Sequence, residues 1–165
     1  MATGRSVGKF TKFQIEDSGG TMRDIPVTSY GSVGLSYEET DVSCLQEALK
    51  SILSGQGSFS TTITGPFDNR AADTASGTGA RPVLSGSHTV LSAIAGGVTP
   101  KSFGIYFGVQ GDWATGDPVF GAIDSVLVTS YTVDFAAGTY SASISTAGNR
   151  TNDPAWGTAA IAASS

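Results

Sequence analysis

Charged residues are scarce in this sequence. Asp, Glu, Lys and Arg make up 14% of its 165 residues, well below the share of about a quarter that is usual for soluble domains. With a net charge of −5, the chain has no cluster of Lys and Arg of the kind that holds nucleic-acid phosphates. We therefore exclude the wrapping of nucleic acid and expect a surface of Ser, Thr, Gly and Ala, which suits extended contact with other proteins.

Cysteine and histidine occur once each, as Cys44 and His88. A single cysteine excludes an intrachain disulfide. A single histidine means that a Ser–His–acid triad, a Cys–His pair or a His-containing metal site must use His88. This residue falls in the first turn of a predicted helix, where a solvated or capping role is ordinary. The sequence therefore predicts no enzyme, no metal site and no cofactor.

Long apolar runs are also absent. No stretch has the length of a membrane span or the apolar core of a signal peptide, so we expect the chain to fold in a cytosol. Its length suits one domain with a sizeable core. We expect a flexible basic arm at 1–12, a β-rich domain at 13–151, and a C-terminal tail at 152–165. The residues of the tail are small, so we expect them to hold it only weakly to the domain.

The pattern that dominates is alternation of apolar with small or polar residues. It is clearest in 103–109, 127–135 and 140–145. Period two indicates strands with one face in a core, and an Ala-Ala-Gly turn joins the last two segments into a predicted hairpin. Shorter segments at 13–15 and 59–67 predict two further strands.

Helix is predicted in two places, 43–55 and 87–97. In the first, Ser43 is a good N-cap, Gln46 completes a capping box, and apolar residues recur at helical spacing up to Gly55. The second carries a short apolar stripe that two glycines end. The predicted fold class is mainly β with one or two short α-helices.

The order of several short motifs resembles that of the tail tube, or major tail, proteins of tailed bacteriophages. After a short strand come GGTMRDI at 19–25, a strand at 27–39, TDVS at 40–43 and a strand closing with GPFD at 65–68. Segment 122–151 is similar to the family's final hairpin, in which a strand running into TSY precedes a serine-rich strand. The motifs cover about half of the chain. The middle, 69–101, has no match, and the helix predicted at 43–55 stands where the family carries a glycine-rich stretch.

The resemblance implies a β-sandwich or barrel of tail-tube type, flanked by a helix. Subunits would join sheets edge to edge in a six-membered ring, and rings would stack into a tube with an inert, acidic lumen through which DNA passes without sequence-specific binding. Implied partners are further copies of the chain, the tape-measure protein and the tail terminator. The implied location is the virion tail, assembled in the host cytoplasm. Unpaired sheet edges are what such assembly needs.

Assembly contacts are expected in the arm 1–12, the segment 37–43 and the turn-rich loop 69–87. The charged pair after the Gly19-Gly20 turn is interpreted as a tie from that corner to a neighbour, within the chain or across a subunit boundary. The candidate assembly residues are Arg23, Asp24, Glu38, Glu39, Asp41 and Arg81.

Two other functions stay open. A capsid-decorating or head–tail joining protein would also belong to a virion, but it would form trimers, monomers on a lattice or a single ring. A small carbohydrate-binding β-sandwich would be a monomer with an exposed aromatic platform. Trp113, Trp156 and the tyrosines are the candidates for that platform.

Overall fold

The computed structural model describes residues 6–46, 48–72 and 85–164. Within these ranges the chain forms one helix, α1 (Ser87–Ile94), and otherwise strands. In chain order the strands are β1 (Ser6–Glu16), β2 (Met22–Ile25), β3 (Ser29–Tyr30), β4 (Ser36–Asp41), β5 (Ile52–Ser58), β6 (Ser60–Pro66), β7 (Lys101–Val109), β8 (Val119–Asp134), β9 (Thr139–Thr146) and β10 (Ala155–Gly157). The prediction of a mainly β fold is confirmed.

The strands form one large antiparallel sheet and one separate hairpin. The 8-stranded sheet runs in the order β2-β1-β7-β8-β9-β6-β3, and β10 pairs with β8. β4 and β5 pair only with each other. The predicted hairpin of β8 and β9 is confirmed, and its turn contains Gly138 at φ +66°.

The sheet folds over on itself to enclose the core. Phe59 precedes β6, which is not a neighbour of β7 in the sheet, yet its ring stacks on that of Phe103 in β7 with centroids 5.4 Å apart. β8 makes the transition between the two layers, with Asp124 at φ +48° and a register shift between Val128 and Ser130. We call β2, β1, β7 and the start of β8 the first layer, and the end of β8 with β9, β6 and β3 the second layer.

The helix predicted at 87–97 is confirmed as α1. Val90, Leu91 and Ile94 lie buried in the core between the layers, at the spacing that places them on one face of a helix. The amide of Gly96, at φ +74°, donates to the Val128 carbonyl of β8, which ties the end of the helical segment to the sheet.

The helix predicted at 43–55 is wrong. Residues 52–58 form β5, and the strand predicted at 27–39 is divided between β3 and β4. A short amphipathic helix needs a partner on which to bury its apolar face, whereas β4 offers β5 a hydrogen-bonded ladder. Gly57 faces Tyr37 across that ladder, and the Tyr37 ring lies over it, where a Cβ at Gly57 would be 2.8 Å from the ring.

Both ends of the described chain are tied to the first layer. Residues 6–12 of the predicted arm belong to β1, so a free arm is not observed there; residues 1–5 lie outside the described ranges. The Glu16 carboxylate accepts hydrogen bonds from the Ser102 amide at 3.2 Å and from the amide and hydroxyl of Ser164 at 3.3 and 2.6 Å. These hydrogen bonds join Ser164 in the C-terminal segment to β1.

Glu16 is expected to make the free energy of unfolding depend on pH in the acidic range. Burial opposes its ionisation, but the hydrogen bonds from Ser164 and Ser102 outweigh that effect and lower its pKa. A lowered pKa stabilises the fold above the unfolded value of about 4.3, and the contribution is lost as pH falls through the folded value. Glu16→Gln should therefore lower the free energy of unfolding by about 1–2 kcal/mol at pH 7. It should also weaken the loss of stability on acidification.

Urea unfolding at pH values from neutral to acidic checks this expectation. Glu38→Gln is the matched control, because Glu38 lies in β4 with an exposed side chain. A Glu16→Gln chain with the same acid dependence as the unaltered chain would show that the carboxylate does not hold the C-terminal segment.

Candidate assembly surfaces

Arg23 lies in the corner between β1 and β2, where it forms an ion pair within its own chain. Its Nε donates to Asp17 Oδ2 at 2.7 Å, and both side chains are largely buried. Asp17 also accepts the amides of Gly19 and Thr21 at 2.9 and 3.0 Å, and Gly20 stands at φ +83° in the turn. Burial opposes ionisation of Asp17, but these hydrogen bonds and Arg23 outweigh it and lower its pKa.

The second member of the pair, Asp24, is fully buried, at 0% exposure. Its carbonyl accepts the Ser85 amide at 2.8 Å, which joins β2 to the segment before α1. Burial lowers the pKa of Lys12. The negative charge of the nearby Asp24 carboxylate offsets part of that lowering. The geometry places both Arg23 and Asp24 in contacts within the chain.

Arg23→Ala is expected to destabilise the fold. Removing the guanidinium leaves Asp17 partly buried without its charged donor, which should cost about 1–3 kcal/mol. Arg70→Ala is a matched control, because Arg70 pairs with Asp68 but its side chain is 60% exposed, and an exposed pair contributes about 0–1 kcal/mol. Denaturant unfolding and sedimentation measure stability and assembly together. Loss of assembly at unchanged stability would instead assign Arg23 to a subunit contact.

The acidic candidates lie together on the hairpin of β4 and β5. Glu38, Glu39 and Asp41 belong to β4, all of whose residues are exposed. Asp41 accepts the Ser43 amide at 2.9 Å and lies 3.6 Å from Lys50 Nζ. Arg81 lies outside the described residues.

The hairpin of β4 and β5 is exposed along both strands, and its tip is apolar. Every described residue of the two strands is exposed. Leu45 and Leu49, in the connection between the strands, have relative exposures of 107% and 83%. Val42, Ile52 and Leu53 are also exposed. We call this group the apolar tip.

A cleft of about 590 Å³ lies at the base of the hairpin. On one side it is lined by Tyr37 and Gln56, and on the other by Arg150 and Asp153, which form an ion pair. The cleft thus offers a mixed polar and aromatic surface beside the hairpin.

The outer face of the second layer is covered with hydroxyl groups. Its strands pair so that Ser29, Thr64, Ser141 and Thr132 form one row across β3, β6, β9 and β8. The next row contains Thr62, Ser143 and Ser130, and the row after it contains Ser60, Ser145 and the partly exposed Leu127. The Ser60 and Ser145 hydroxyl oxygens lie 3.1 Å apart, and those of Thr62 and Ser143 3.4 Å apart. We call these rows the hydroxyl face.

The outer face of the first layer is covered by the chain itself. Tyr106, Trp113 and Val119 form a small buried cluster there, against which Ile161 packs. The Ile161 amide donates to the Tyr106 hydroxyl at 2.9 Å, and the Lys12 ammonium lies 4.8 Å from the Tyr106 ring centroid. Of the two outer faces, the hydroxyl face is the one that the described segments leave open.

The remaining reactive side chains have ordinary surroundings. The His88 ring nitrogen Nδ1 lies 3.1 Å from the Tyr131 hydroxyl, and Cys44 is exposed near the apolar tip. Among the described residues, no group of three or more His, Cys, Asp and Glu is placed to hold a metal ion. Trp113 is buried, whereas Trp156 is 55% exposed, so the two tryptophans do not share a surface platform. No helix in the described part of the chain is long and apolar enough to cross a membrane.

Comparisons with known proteins bear on the fold. No family model and no curated protein matches the sequence. The cryo-EM structure of the tube-terminating cap of the anti-feeding prophage aligns with a TM-score of 0.51 at 10% identity, over 96% of this chain and 95% of that one. This chain therefore shares a fold with that cap.

Two chains from PVC, an extracellular contractile injection system in its extended state, align with a TM-score of 0.49. One belongs to the sheath–tube complex, at 10% identity over 94% of this chain and 93% of that one. The other belongs to the sheath/tube terminator, at 12% identity over 94% and 99%.

Proposed function

We propose that this chain is a structural protein of a phage tail or tail-like particle, which self-assembles into stacked rings that form the tail tube. The observation that carries the proposal is the hairpin of β4 and β5. It is exposed along its whole described length and has an apolar tip, a costly arrangement for a monomer that a neighbouring subunit would relieve. The fold shared with a tube-terminating cap supports the same role.

The ring is proposed to be a hexamer, and the hairpin to make the contact between stacked rings. A contact in which the apolar tip of one copy meets a different surface of the next is heterologous, and a heterologous contact that does not close produces a filament. The cleft lined by Tyr37 and Arg150 is the candidate receptor, because it adjoins the same hairpin and has both aromatic and charged walls. Glu38, Glu39 and Asp41 lie beside the contact and fix its register.

Further partners follow from this role and are proposed with it. DNA would pass through the tube without sequence-specific binding, and the tape-measure and terminator proteins would meet the tube inside and at its end. The chain would work without catalysis, and its location would be the tail of the particle.

Negative-stain microscopy of the purified protein at rising concentration tests the proposal. Rings with sixfold symmetry that stack into tubes are expected. Discrete trimers or single rings would instead indicate a capsid-decorating or head–tail joining protein. Monomers at every concentration, together with hits in a glycan-binding screen, would favour a carbohydrate-binding module.

A further inference from the structure

We infer that Trp156, in the short strand β10, sets the angle at which the hairpin of β4 and β5 leaves the body of the protein. The C-terminal segment thereby controls the direction in which the apolar tip points, and so the readiness of the chain to assemble. The statement about assembly rests on the proposed function, whereas the statement about the angle concerns the single chain.

The first ground is the open space beside the hairpin. Among the described strands, β4 and β5 pair only with each other. The cleft of about 590 Å³ separates the base of the hairpin, with Leu35 and Tyr37, from the segment between β9 and β10, with Arg150 and Pro154. The ladder of β4 and β5 therefore fixes the shape of the hairpin, but it does not fix the angle between the hairpin and the large sheet.

The second ground is the position of the indole at the start of the hairpin. Gly34, two residues before β4, stands at φ +130° with the indole against it. A Cβ at Gly34 would lie 3.7 Å from Trp156 Nε1 and 4.0 Å from Cζ2. The residues on either side, Val33 and Leu35, pack against the core. The chain that leaves the second layer thus reaches the indole before the hairpin begins.

The indole is held in turn by the first layer. Trp156 pairs with Phe120 in the ladder of β10 and β8. Its ring centroid lies 5.1 Å from that of Phe120 and 5.6 Å from that of Phe107. Because Phe120 is completely buried, the indole rests on a fixed part of the core.

Backbone hydrogen bonds hold the chain on both sides of β10. Before the strand, the Thr151 amide donates to the Asp124 carbonyl at 3.0 Å. After it, the Thr158 carbonyl accepts the Gly116 amide at 2.9 Å. The position of Trp156 is therefore set by the body of the protein and does not depend on the hairpin.

The third ground is that both ends of the hairpin rest on the same buried ring. Phe59, directly after β5, has its ring centroid 4.9 Å from that of Phe120. The end of the hairpin after β5 thus contacts Phe120 directly, and the end before β4 reaches it through Trp156. Two supports determine the angle of the hairpin. With Phe59 alone, the hairpin can turn about one end into the open cleft.

The exposure of Trp156 separates its role from that of a core residue. Its side chain is 55% exposed, whereas Phe59 is 2% exposed. Since the contribution of an apolar side chain to stability follows the area that it buries, removal of the indole costs the fold less than removal of Phe59. We therefore expect the main effect of a Trp156 substitution on the angle of the hairpin.

Pulsed electron paramagnetic resonance between two spin labels measures this angle. In a Cys44→Ser background, the labels are attached at Thr40→Cys on β4 and Ala93→Cys on α1, both of which are exposed positions. The protein is kept at a concentration at which it is monomeric. The chain with Trp156 should give one narrow distribution of distances, and Trp156→Ala should broaden it.

Trp156→Phe distinguishes loss of the angle from damage to the core. A phenyl ring keeps the contacts with Phe107 and Phe120 but lacks the indole atoms that lie against Gly34. This variant should unfold in urea close to the unaltered chain and still broaden the distribution. Phe135→Ala is the matched control, because Phe135 is also an exposed aromatic residue but its ring lies beside Phe67. An unchanged distribution in both Trp156 variants, or equal broadening in the control, would overturn the inference.

Sedimentation velocity of the same variants separates the inference from the proposed function. If the hairpin holds the competent angle only about a tenth of the time, the concentration needed for assembly rises about 10-fold. A broadened distribution with an unchanged assembly concentration would overturn the statement about assembly. If the unaltered chain forms no tubes, the proposed function fails, while the distances measured on monomers still decide whether Trp156 sets the angle.

Discussion

Phe59→Ala is expected to lower the free energy of unfolding by about 3–5 kcal/mol, the usual cost of removing a large buried aromatic side chain. Phe59 stands between β5 and β6 and is 2% exposed. Its ring lies 5.4 Å from that of Phe103 and 4.9 Å from that of Phe120, both in or next to the first layer. The substitution would leave a cavity between the layers at the point where the exposed hairpin joins the sheet.

Chemical denaturation followed by intrinsic fluorescence measures this loss. Phe135→Ala is the matched control, because Phe135 is the same residue type but is 84% exposed. A surface substitution of this kind should change stability by less than about 0.5 kcal/mol. Equal costs for the two substitutions would contradict a core in which Phe59 holds the two layers together.

Replacing Leu45 and Leu49 by Ser together is expected to abolish assembly at concentrations where the unaltered chain forms tubes, while stability stays within about 0.5 kcal/mol. Both side chains are exposed in the single chain, so their removal costs the fold little. Burying a Leu in a subunit contact contributes about 1.5–3 kcal/mol. Losing two should therefore raise the concentration needed for assembly on the order of 100-fold or more.

Sedimentation velocity over a concentration series measures the shift. Val98→Ser serves as the control, because Val98 is 79% exposed but lies outside the hairpin, between α1 and β7. If the double variant assembles at the same concentration as the Val98→Ser chain, the apolar tip is not a subunit contact.

The strands of the core could be predicted because their pattern is local. Segments 103–109 and 140–145 alternate large apolar residues with small or polar ones, and each forms a strand. In β9 alternate side chains enter the core, whereas in β7 the second face, with Tyr106, is buried as well. The helix α1 followed from its apolar stripe and the glycines after it.

The helix predicted at 43–55 was wrong because the local signals of this segment favour a helix, whereas its structure depends on a partner strand. The Ser43 cap and the apolar spacing exist in the sequence, but in the described part of the chain Leu45, Leu49 and Leu53 are exposed and do not pack on a partner element. Gly55 and Gly57 are the signal that points away from a helix, since glycine weakens a helix. In the ladder Gly57 lies against the Tyr37 ring and Gly55 against Glu38.

The candidate assembly surfaces depend on pairings between residues distant in the sequence. The alternating serines of segment 140–145 are visible in the sequence, but their alignment with Thr62 and Thr132 is set by the register of three strands. The partner of Arg23 is Asp17, six residues before it, and the turn at Gly20 brings the two together. Arg23 therefore forms its contact across its own turn, within the chain.

Electron cryo-microscopy of the concentrated, purified protein tests the central claim most directly. We expect tubes of stacked sixfold rings that are joined by the hairpin of β4 and β5. Particles that remain monomers, trimers or single rings at every concentration would contradict the claim that this chain builds a tail tube.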